Sequence, residues 1–350
     1  MKYRNLFHSV MLCAAVALAG CSNDETSQTG KLQDKVMGTA STVTFSTESS
    51  ATQATTMTRT SISHNINNGA TPYWSAGDKI WVKDTGGNFQ QSGAGTFNAD
   101  RTHGVFTLSG TFSNGCTVNY TGANGTAGDK VTIAATQTQT VPNDFSHAGV
   151  SGDCGTATAS GTGNSFKFKL DHKASYLCFL PRSSNDYVHR SKLFKIEVIS
   201  EDAIAGTYDF STGTLSAEPV SNSSKSITLT TGGGFPVTNT TTDIDANGAY
   251  MVIAPGTHSL TVRYWLRNKT DNPEGTIEGT VTKYMDLACE AGKIYDVTAN
   301  LSPQELSSEY YMWDAKKEYW YGFKNVQPKD ALGYNDNYPK SQNADPDRWY

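Results

Sequence analysis

No segment beyond residue 20 carries 18 uninterrupted apolar residues, which excludes a membrane-spanning helix there by hydropathy. Long 3.6-residue periodicity is also missing before residue 305, so a helical bundle is excluded for most of the chain. Lys and Arg nowhere cluster, and the formal net charge is −5, which argues against nucleic acid as a partner. Charged residues are only 17% of the chain, below the usual quarter, and Thr, Ser, Asn and Gly take their place, as in exported β-proteins. The six cysteines include no Cys-x-x-Cys pair, so a redox or zinc-knuckle motif is not expected. Gly-x-Ser-x-Gly, His-Glu-x-x-His, a phosphate-binding loop and a dinucleotide fingerprint are all absent, and the carboxylates are scattered. No residue is a candidate for catalysis, no cofactor is implied, and the expectation is a protein that is not an enzyme.

Present instead is a strong N-terminal signal. Lys2 and Arg4 precede an apolar run from Val10 to Leu18, the length of a signal-peptide core. It ends Leu18-Ala19-Gly20-Cys21, which resembles the bacterial lipoprotein lipobox. That resemblance implies cleavage before Cys21 and acylation of its thiol. Acyl chains contribute about 0.8 kcal/mol per buried methylene, so a multiply acylated Cys21 would hold the chain on a membrane. Residues 1–20 are therefore read as signal peptide and 21–38 as a polar tether. The acidic pair Asp24-Glu25 is similar to an export tag for the outer face of an outer membrane, a generic solvated linker being the alternative.

From Ser41 the periodicity is two. Val43 and Phe45 alternate with Ser and Thr; Phe106, Leu108 and Phe112 share one parity; Lys130–Thr136 reads as a further strand. Residues 141–165, rich in Gly, Asn and Asp, read as loop and domain junction. Phe166, Phe168, Leu170, His172, Ala174, Tyr176, Cys178 and Leu180 all take even positions, the pattern of a half-buried antiparallel strand with a bend. Strands recur at Leu193–Ser200, Ser226–Thr230, Tyr250–Ile253, Ser259–Leu266, Thr276–Leu287 and Lys293–Leu301. Short strands at this spacing predict an all-β chain of β-sandwiches.

Four motifs in order resemble the fimbrillin (type V pilin) family of surface lipoproteins of Gram-negative anaerobes. They are Thr58-Arg59-Thr60 followed by Trp74-Ser75-Ala76-Gly77-Asp78-Lys79-Ile80; Phe166-Lys167-Phe168-Lys169-Leu170-Asp171-His172; Tyr250-Met251-Val252-Ile253-Ala254-Pro255-Gly256; and Ala291-Gly292-Lys293-Ile294-Tyr295-Asp296-Val297. The resemblance implies two tandem transthyretin-like β-sandwich domains, at 39–162 and 163–302, with the Phe166 motif opening the second. It implies an outer-membrane lipoprotein at the cell surface, assembled with other fimbrial subunits into filaments that support adhesion, with a host or bacterial receptor as a further partner. It also implies cleavage by an Arg- or Lys-directed protease, placed here after Arg59, which would separate the Val43–Phe45 strand from the rest. Lys31 and Lys35 are alternative cut sites that would free the lipid without removing that strand. A neighbour's strand then fills the vacated groove.

Residues 303–350 form an aromatic-rich tail. Tyr311, Trp313, Ala315, Tyr319, Tyr321 and Phe323 make a period-two stripe broken at Lys317, which suits a donor strand; a short amphipathic helix through Trp313–Glu318 is the competing reading. Trp313, Trp320 and Trp349 are half of the six tryptophans and keep open an alternative, a non-polymerising surface module that binds glycans. Cys178 and Cys289 share apolar parities and are the candidate disulfide, with buried free thiols as the alternative. His172, on an apolar parity, reads as a hydrogen-bonded core histidine. Asp243-Ile244-Asp245-Ala246-Asn247-Gly248 copies half of a calcium loop, but its twelfth position is Ala254, so a hairpin turn at Asn247-Gly248 is expected and no metal.

Overall fold

The computed structural model describes residues 42–48, 61–66, 69–268 and 277–303. All belong to the compact unit Ser41–Tyr350. Cys21, Arg59 and the tail stripe from Tyr311 to Phe323 lie outside the described residues.

The fold is all-β, with three helices of four or five residues among the described residues. Two five-stranded sheets share the first core. One has the order Ser160–Thr162, Ser165–Phe168, Thr42–Thr47, Gly104–Ser109, Thr96–Phe97. The other runs Asp171–His172, Gly155–Thr158, Thr117–Tyr120, Trp81–Lys83, Phe89–Gln91. Val43, Phe45, Phe106, Leu108, Phe166 and Phe168 enter this core from the first sheet, and Val82, Val118, Tyr120 and Ala157 from the second. The alternation at Val43 and Phe45 is thus a half-buried strand, as the period-two pattern predicts.

The motif at Trp74 forms the turn that closes this core. Trp74 is fully buried, with Phe97 stacked on it at 5.8 Å and Phe106 and Tyr120 edge-on. The buried Asp78 carboxylate accepts from Ser75 N at 2.6 Å and from the Tyr120 hydroxyl at 3.3 Å. Gly77 takes φ +89°, a left-handed conformation that favours glycine.

A second core is assembled from three sheets. The largest orders Thr136–Thr138, Ser226–Pro236, Lys192–Ser200, Gly256–Asn268 and Ile277–Cys289. Another sets Ser175–Arg182 between Ala249–Ile253, antiparallel, and Ile294–Asn300, parallel. The third joins Ser221–Ser224, Ala205–Asp209 and Lys130–Ile133. A separate hairpin, Ser61–Asn65 with Gly69–Tyr73, sends Ile62 into this core and bridges Phe145.

The structure departs from the sequence pattern at four points. The cores do not divide at residue 162: Phe166, Phe168 and Leu170 belong to the first, because Ser165–Phe168 pairs in parallel with Thr42–Thr47. Val131, Ile133, Phe145 and Cys154, all earlier in the chain, belong to the second. Residues 141–165 are not merely loop; they contain the helix Ala148–Ser151 and the strands Gly155–Thr158 and Ser160–Thr162. The even-parity run from Phe166 is three strands, and its last part, Ser175–Arg182, is buried from Ser175 through Pro181 on both faces. Sequence parity describes a sheet with one wet face and misses a strand covered on both sides. Asn247-Gly248 is no hairpin turn. Asp243 caps a short helix, Ile244–Asn247, by accepting from Asp245 N and Ala246 N.

Candidate assembly site

The strand Thr42–Thr47 lies at the centre of the first sheet. Its register sets Phe45 opposite Phe106 on the antiparallel side and opposite Phe166 on the parallel side, with Val43 beside Leu108 and Thr47 beside Phe168. Phe45 is fully buried; its ring stacks on Phe166 at 4.9 Å and meets Phe112 edge-on at 5.2 Å. Beyond the ladder, Thr44 N donates to Asn164 O and Glu48 N to Phe168 O, both at 2.9 Å. Thr47 Oγ1 accepts from Gly104 N at 2.9 Å and lies 3.2 Å from His103 Nδ1.

Taking this strand away would leave two facing rows of unpaired backbone groups and an apolar slot walled by Phe106, Phe112 and Phe166. Burial of a Val or Phe side chain is worth about 1.5–3 kcal/mol, so loss of this strand would cost the first core both apolar burial and sheet hydrogen bonds. Among the described residues no other strand or helix precedes Arg59. The chain re-enters the described structure at Ser61, in the hairpin whose Ile62 packs with the second core. A cut at Arg59 would therefore detach this one strand and no other element described. The Phe166 and Phe168 walls escaped the sequence reading, which placed them in another domain. The matching apolar parities of Phe45 and Phe166 are the only sequence signal for their contact.

The other singled-out residues do not converge on this slot. Cys178, Cys289 and Cys154 are free, buried thiols in the second core, and Cys116 is one in the first. Burial pushes the Cys178 thiol up, and that of Cys289 up to about 12. His172 is a buried core residue: Nδ1 lies 2.7 Å from Asp153 Oδ1, which also accepts from the Tyr176 hydroxyl at 2.5 Å. Burial, followed by the Asp153 charge, holds the Tyr176 hydroxyl well above its ordinary pKa. Asp153 and Tyr176 are fully buried and His172 is 2% exposed, so this network is closed to solvent.

No protein-family model matches the chain, and no curated protein matches it. Among solved structures it is similar to a proposed cell adhesion protein from Bacteroides ovatus ATCC 8483, at 16% identity and a TM-score of 0.44, over 76% of this chain and 96% of that one. A proposed cell adhesion protein from Bacteroides fragilis NCTC 9343 is similar at 13% identity and a TM-score of 0.38, over 68% of this chain and 88% of that one. A fimbrial protein from Bacteroides ovatus ATCC 8483 is similar at 12% identity and a TM-score of 0.31, over 70% of this chain and 49% of that one.

Proposed function

We propose that this chain is a non-enzymatic structural subunit of a surface fimbria, acting in adhesion and assembled by exchange of the strand Thr42–Thr47. In this reading each core is a transthyretin-like sandwich. Cys21 carries lipid during export to the outer membrane, and a protease then cuts after Arg59. The supporting observation is the position of Thr42–Thr47: central in its sheet, paired on both edges, and alone before the cut among the described residues. The tail stripe from Tyr311 to Phe323 is the proposed replacement strand, offered by a neighbouring subunit.

The test is digestion of the purified mature chain with an arginine-specific protease, followed by N-terminal sequencing and electron microscopy. A new N-terminus at Thr60 and filaments are expected for the wild type, and neither for Arg59→Ala. Filaments from uncut Arg59→Ala would overturn strand release; monodisperse cut protein would favour a non-polymerising surface module.

A further inference from the structure

Away from the strand slot, three side chains of different ligand chemistry meet beneath the hairpin. Cys178, at the centre of Ser175–Arg182, is in register with Tyr250 on one neighbouring strand and Asp296 on the other. Partners in register project to the same face of a sheet. His64, on the hairpin arm Ser61–Asn65, lies against this row with Nε2 2.7 Å from Asp296 Oδ1. His64 Nε2, Cys178 Sγ and an Asp296 carboxylate oxygen all lie within 4.8 Å of one another. The Tyr250 hydroxyl, beside the Cys178 thiol, donates to Asn143 Oδ1 at 2.5 Å. The Cys178 and His64 side chains are buried, whereas 21% of the Asp296 side chain reaches solvent.

We propose that His64, Cys178 and Asp296 form a site for one divalent transition-metal ion of the zinc type, its fourth position filled by solvent on the Asp296 side. An imidazole nitrogen, a thiolate and a carboxylate oxygen are the three ligand kinds that zinc takes, and three protein ligands with one open position is a recurrent zinc arrangement. The thiolate disfavours calcium and magnesium, which select all-oxygen shells. Zinc–ligand distances of about 2.0–2.3 Å place tetrahedral ligand atoms about 3.4 Å apart. The pair His64–Asp296 must open by roughly 0.7 Å from its hydrogen-bonded distance, a side-chain adjustment. In the β-ladders of the described residues the hairpin strands pair with each other, with one isolated β-bridge, Ile62–Phe145, to the rest of the chain.

Coordination takes the lone pair of Nε2, so the imidazole hydrogen resides on Nδ1. The Cys178 thiol proton is released to solvent, and the ion offsets the charge of thiolate and carboxylate. Full burial of Cys178 keeps the trio from acting as a nucleophilic triad on a substrate. The bound ion would clamp the hairpin to the sheet of the second core. The metal site and the strand Thr42–Thr47 share no residue.

The test uses Co²⁺ as probe on the full mature chain. One equivalent should bind, with a thiolate-to-cobalt absorption band and the strong visible bands of a four-coordinate ion. Cys178→Ser should remove the thiolate band. His64→Gln, a change on the hairpin, should weaken binding at least tenfold while circular dichroism stays that of the wild type, and Zn²⁺ should displace Co²⁺. Binding with no thiolate band, a band that survives Cys178→Ser, or wild-type affinity in His64→Gln would each overturn the site. Should Cys178→Ser fail to fold, His64→Gln and Asp296→Asn decide the matter by affinity alone.

Discussion

His147 shows how one buried side chain ties stability to pH. It stands at the start of the helix Ala148–Ser151, with Nδ1 2.9 Å from Ser151 Oγ, and Nε2 has no protein partner. Burial pushes its pKa down to about 4, the nearby Asp144 charge opposing only in part. The folded chain thus refuses a proton that the unfolded chain accepts near pH 6.5. Its cost is nil above that value and grows as pH falls towards 4, by at most about 1.4 kcal/mol per pH unit. His147→Gln removes this penalty. Urea midpoints should show wild type losing stability faster than the variant between pH 7 and pH 5; parallel curves would disprove the linkage.

At the scale of elements, the edge of Ala249–Ile253 is sealed by side chains in place of a strand. Gln137 donates to Val252 O at 2.7 Å and accepts from Val252 N at 2.9 Å. Gln139, two residues on, accepts from Tyr250 N at 2.7 Å and donates to Gly248 O at 2.9 Å. Two glutamines at period two thus reproduce a ladder along a strand buried at every position. Gln137→Leu leaves the Val252 N–H and C=O unpaired, at about 1–3 kcal/mol for each. The urea midpoint should drop with the slope unchanged; an unaltered midpoint would mean that water replaces the amide. This seal was not legible in sequence, where Gln137 and Gln139 look like solvent-facing strand residues. What could be read was local: Val43 and Phe45, the strands around Ile196 and Val262, and the core role of His172 all follow from parity. Parity carries no information on which strands become neighbours. The pairing of Phe45 with Phe166, and of His64 with Asp296 across 232 residues, emerged only with the fold.

On the scale of the whole molecule, the chain weaves between two cores, leaving the first at Leu170 and entering the second by Ala174. Neither core is complete from a single stretch of sequence, so cutting the chain at 162 should yield two fragments that fail to fold separately. Removing residues 309–350, by contrast, takes away no described element. That truncated chain should unfold with the wild-type midpoint yet form no filaments. Filaments from it would place the donor elsewhere, and loss of folding would mean that the tail completes its own subunit. The last strand among the described residues also sets how the second core meets tension. Ile294–Asn300 runs parallel to the doubly buried Ser175–Arg182, and Leu301 is clasped at its end by Arg182 O, which accepts from Leu301 N at 2.8 Å, and by the Ser183 hydroxyl, which donates to Leu301 O at 2.5 Å. A pull on the chain beyond Leu301 acts along that strand and loads its whole ladder in shear, so the bonds must fail together rather than peel one by one.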